Sequence, residues 1–69
     1  MTPLEQEISE RKEIIQEELE SLFKSNLKIT AWDVPEVDQQ KSSEMILDIL
    51  QEKLDEIRDE VRAGKYRYY

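Results

Sequence analysis

Leu27-Lys28-Ile29-Thr30-Ala31-Trp32-Asp33-Val34-Pro35-Glu36-Val37 is the stretch whose reading decides the fold. It lies between two amphipathic patterns with helical spacing. Residues 27–32 alternate and are rich in β-forming types, which reads as a short strand. Pro35 biases Val34 away from helical angles, so Asp33 to Glu36 reads as a turn or the start of a helix. Connections between bundle helices usually run about two to eight residues. The segment from Ser25 to Val37 is longer and holds Leu27, Ile29, Trp32, Val34 and Val37. The expectation is therefore an ordered linker packed on the helices, with Trp32 largely shielded.

On its N-terminal side, Thr2-Pro3-Leu4-Glu5 has the form of a capping box, with proline at the first helical position. From there Leu4, Ile8, Ile15, Leu19 and Leu22 fall within about 60° on a helical wheel. Glu10, Glu13, Glu17 and Glu20 take the opposite side. Glu7→Arg11 and Glu20→Lys24 have the favourable i,i+4 order. Ser25-Asn26 reads as the stop, which predicts a helix over about 3–24 and a linker over about 25–37.

On the other side, Asp38 is the preferred cap of a second helix, over about 38–63. Ile46, Leu50, Leu54, Ile57 and Val61 form its stripe. Met45 and Ile49 lie on one flank and Leu47 on the other, so the first turns are apolar nearly all round and need more than one neighbour. Ala63-Gly64 supplies the stop, with glycine in the left-handed position. The tail, residues 64–69, is basic and aromatic, and its alternation allows an edge strand.

The fold class is accordingly mostly α: an antiparallel helical hairpin with a long ordered linker, expected to dimerise into a four-helix bundle. One domain accounts for the 69 residues. A chain this short buries a small share of its surface and usually needs a staple or a partner chain. There is no Cys to form a disulfide and no His to hold zinc or haem. A homodimer is the remedy left, with Met45, Ile46, Ile49 and Leu50 as its expected interface. Level residues in the hairpin would have numbers summing to about 70. That places Arg11 near Glu56 and Glu60, and Lys53 near Glu18, as register-setting ion pairs.

The chemistry-bearing patterns point to a noncatalytic role. Carboxylates such as Glu10, Glu13, Glu17 and Glu20 have metal-ligand spacing but face away from the apolar stripe. No Ser has a His to activate it, and the single Gly rules out a phosphate-cradling loop. No catalytic residue, cofactor or metal is expected. Net charge is −7, which disfavours direct binding to nucleic acid or an anionic membrane. Met1 to Glu5 has neither the basic leader nor the apolar run of a signal peptide, and no apolar stretch approaches a membrane span. With the lack of Cys this fits a cytoplasmic protein. The expected function is a small acidic interaction or regulatory module with an unidentified protein partner. Trp32, Tyr66 and Tyr68 are the candidate partner contacts. The alternative is an acidic inhibitor, antitoxin-like, that masks a basic nucleic-acid-binding partner.

Overall fold

The computed structural model describes residues 1–36 and 38–69 and shows two helices packed as a hairpin. Helix α1 spans Pro3–Asp33 and α2 spans Gln39–Arg62. Thr2 caps α1, its Oγ1 accepting from the Glu5 amide at 3.1 Å. The return arm differs from the expected box: Glu5 Oε1 accepts from the Thr2 hydroxyl, also at 3.1 Å.

The first helix does not stop at Ser25-Asn26, and 27–32 is not a strand. A lone strand there would leave its amides and carbonyls without a ladder, whereas a helix pairs them internally. Asn26, read as part of the stop, and Thr30, read as part of the strand, are absorbed by the helix itself. The Asn26 side-chain amide donates to the Leu22 carbonyl at 2.8 Å, and the Thr30 hydroxyl donates to the Asn26 carbonyl at 2.9 Å. The real stop is Pro35. It forces Val34 to φ −130°, ψ 83°, and the Val34 amide closes the last turn on the Thr30 carbonyl at 2.9 Å. The connection is thus the short segment 34–38, of which Val37 lies outside the described residues.

Asp38 caps α2, its carboxylate accepting from the amides of Gln40 at 3.0 Å and Lys41 at 3.3 Å. At the far end Gly64 takes φ +85°. Its amide donates to the Val61 carbonyl and the Lys65 amide donates to the Glu60 carbonyl, each at 3.0 Å. This pair of bonds is the Schellman closure that only a left-handed residue allows. The tail then forms turns, with Arg67 N–H on the Gly64 carbonyl at 3.1 Å, and no edge strand. Tyr66 and Tyr69 meet edge to face, with centroids 5.5 Å apart.

Contact between the helices is concentrated at the loop end. Phe23, Leu27, Thr30 and Ala31 of α1 are half-buried there, opposite Ser43, Ile46 and Leu50 of α2. Ser42, 4 % exposed, is the only buried residue among those described. Its Oγ has no hydrogen-bond partner. Removing that hydroxyl relieves a desolvated group and improves helix propensity. Ser42→Ala is therefore expected to raise stability by about 0.5–1 kcal/mol, measured by urea unfolding; a loss of similar size would show that the hydroxyl is satisfied in solution.

Candidate interaction face

No apolar side chain among the described residues is buried in this hairpin. The reason is angular. Phe23, Leu27, Thr30 and Ala31 mark the side of α1 that meets α2. That side lies about 100° around the helix from the centre of the Leu4, Ile8, Ile15, Leu19, Leu22 stripe. Toward the N-terminus, the side meeting α2 carries Glu5, Ser9, Lys12 and Gln16 instead. Ile57 and Val61 therefore look across at polar residues and stay exposed, while Leu54 lines a groove with Leu19 and Phe23 and is still partly open. The two stripes do not face each other along their length.

On α2 a similar offset appears. Ile46 and Leu50 point at α1, and Leu50 shares a groove with Leu19 and Phe23. Met45 and Ile49 are turned by about 100° from that direction. Because the helices run antiparallel, both offsets fall on the same side of the hairpin. One broad face thus carries Leu4, Ile8, Ile15, Leu19 and Leu22 with Met45 and Ile49. Along it Leu4 is 70 %, Ile15 48 % and Ile49 65 % exposed. A groove runs between Thr30 on α1 and Lys41, Met45 and Ile49 on α2.

Of the four residues expected at a dimer interface, then, Ile46 and Leu50 serve the hairpin, while Met45 and Ile49 are open. The stripe of α1, read from the sequence as the seam of the hairpin, is open as well. What would have marked it is Phe23, Leu27 and Ala31, a second and offset row on the same helix.

Trp32 is 88 % exposed, so it does not plug the hairpin. The helix that replaces the expected packed linker carries it out to solvent, beside Ile29, Lys28 and Ser25. Acrylamide is expected to quench its fluorescence nearly as well as that of a free peptide. A blue-shifted, shielded emission would place another surface over it. Tyr68 is exposed and Tyr66 more than half covered, and the Lys65 ammonium lies 5.7 Å from the Tyr66 ring centroid.

The expected register pairs are not formed. Lys53 binds Glu56 on its own helix at 3.2 Å, and Lys65 takes Glu60. The Lys65 ammonium holds the Glu60 carboxyl below its ordinary range, and Glu60 in turn raises Lys65. Lys24 pairs with Glu20 at 3.2 Å. Among the described residues Arg11 and Glu18 make no ion pair or side-chain hydrogen bond. No group of three carboxylates converges as a metal site, and no helix is long and apolar enough to cross a membrane, in both cases among the described residues.

Comparison with protein-family models, curated proteins and solved structures found no match to this chain.

Proposed function

We propose that this chain is a noncatalytic interaction module whose folded unit is a homodimer built as a four-helix bundle. The observation that carries the reading is exposed area. The chain presents 6550 Å² to solvent, against about 4,600 Å² for a compact monomer of its mass. Its radius of gyration is 16.0 Å, where a compact domain of this length has about 11 Å. Each hairpin thus exposes about 2,000 Å² more than a self-sufficient domain of its size.

Two hairpins covering that excess bury about 4,000 Å² in total, within the span of obligate homodimers. The apolar stripes go inward and the rows of Glu10, Glu13 and Glu17 stay outward. Those rows keep the assembly soluble and offer a partner an acidic surface. Sedimentation equilibrium tests the reading. At tens of micromolar the mass is expected to be twice 8.3 kDa. A single-chain mass at ~100 μM would overturn it.

A further inference from the structure

Resting on that reading, the geometry points to one arrangement of the two copies: α1 packs antiparallel on its counterpart, with the two-fold axis beside Ile15 and Arg11 of each chain paired with Glu18 of the other. The occupant of the open face is a second copy because the α1 stripe is complementary to itself in shape and in the charges on its edge.

Shape comes first. The N-terminal half of α1 reaches beyond the half-buried zone, and Leu4 and Ile8 have no cover from α2. The groove beside Thr30, Met45 and Ile49 lies at the other end of the same face. An axis at Ile15 brings the second copy's Ile8 level with Leu22 and its Leu4 level with Asn26. At that height Met45 and Ile49 flank α1. The uncovered end of each chain thereby enters the groove of the other, and the exchange is reciprocal, as a two-fold axis requires.

Charge selects the register. Arg11 and Glu18 flank the same edge of the stripe, two turns apart, and both are unpaired within the described chain. In an antiparallel pair, edges of the same hand meet, so an axis midway between these residues joins Arg11 to Glu18 twice. A parallel pair brings opposite edges together, so Arg11 and Glu18 would not meet. An antiparallel pair slid to full overlap would centre on two Glu18 side chains. Of these three arrangements, the axis beside Ile15 is the one that sets Arg11 against Glu18, and it overlaps more of the two helices than an axis near residue 9 that would pair Arg11 with Glu7.

The test is a charge-swap series, Arg11→Glu, Glu18→Arg and the double variant, with the full chain in sedimentation equilibrium and circular dichroism. Each single swap is expected to weaken the dimer about tenfold or more, since it sets like charges together at two symmetric places. The double swap is expected to restore wild-type affinity and helicity, even where a single swap unfolds the chain. If net charge alone governed association, Glu18→Arg would tighten the dimer. Tightening by Glu18→Arg, or a double variant no better than the weaker single one, overturns the proposed register while leaving the homodimer standing. A monomeric wild type overturns both.

Discussion

Lys28→Pro is expected to lower the melting temperature by roughly 12 °C or more, or to unfold the chain outright. Lys28 lies in the middle of 27–32, is exposed, and points away from both the hairpin contact and the apolar stripe. Its side chain therefore contributes little, and the substitution reads the backbone. Within a helix, proline removes one hydrogen bond and clashes with the preceding turn, at about 3 kcal/mol or more. In a packed linker or short strand the same change would cost much less. Lys28→Ala is the control and is expected to be neutral or slightly stabilising. Circular dichroism melts of the three proteins read the difference. Equal melting of the proline and alanine variants would mean that α1 ends before residue 28.

The second large effect belongs to Ile15→Glu. In an isolated hairpin this position is half exposed, and a glutamate would turn to water at a cost of under ~0.5 kcal/mol. In the assembled pair two copies of Ile15 lie at the centre of the interface. Their loss removes about 2 kcal/mol of burial apiece and sets two carboxylates face to face. The dimer is expected to dissociate. Each hairpin, with no buried apolar side chain among its described residues, then loses most of its helicity. Far-ultraviolet circular dichroism and sedimentation on one sample read both events. A variant as helical as the wild type, with unchanged mass, would take Ile15 out of any interface.

Much of this architecture is written locally in the chain. Thr2-Pro3 starts α1, Asp38 starts α2 and Gly64 ends it, each through a bond to a nearby amide or carbonyl that short-range pattern reveals. The misread segment shows where such patterns compete. Leu27, Ile29 and Trp32 have strand-like spacing, and Ser25-Asn26 resembles a helix stop. Neither outweighs the cost of leaving backbone groups unpaired where the described residues hold no strand to pair with. Pro35 was the decisive breaker, acting on the residue before it.

The interaction face was half legible. The stripe of α1 and the flank of Met45 and Ile49 are plain on a helical wheel. That the stripe points away from α2 is not, because the contact is set by Phe23, Leu27 and Ala31, a row interrupted by polar residues toward the N-terminus. The ion pairs expected within the hairpin, Arg11 with Glu56 or Glu60 and Lys53 with Glu18, are absent for a related reason. They require stripes that face each other, whereas the structure satisfies Lys53 and Glu60 from neighbours on their own segments. Short-range pairs lose less side-chain freedom than pairs held across a partly open gap.

The most direct measurement on whether folding requires a second copy is the melting temperature of the wild-type chain over a hundredfold range of concentration. When unfolding and dissociation are one event, mass action adds about 2.7 kcal/mol across that range. The melting temperature is expected to rise by roughly 10 °C from the most dilute to the most concentrated sample. A melting temperature that stays constant across the series, with cooperative unfolding at every concentration, would show that the single hairpin is stable alone and would contradict the account.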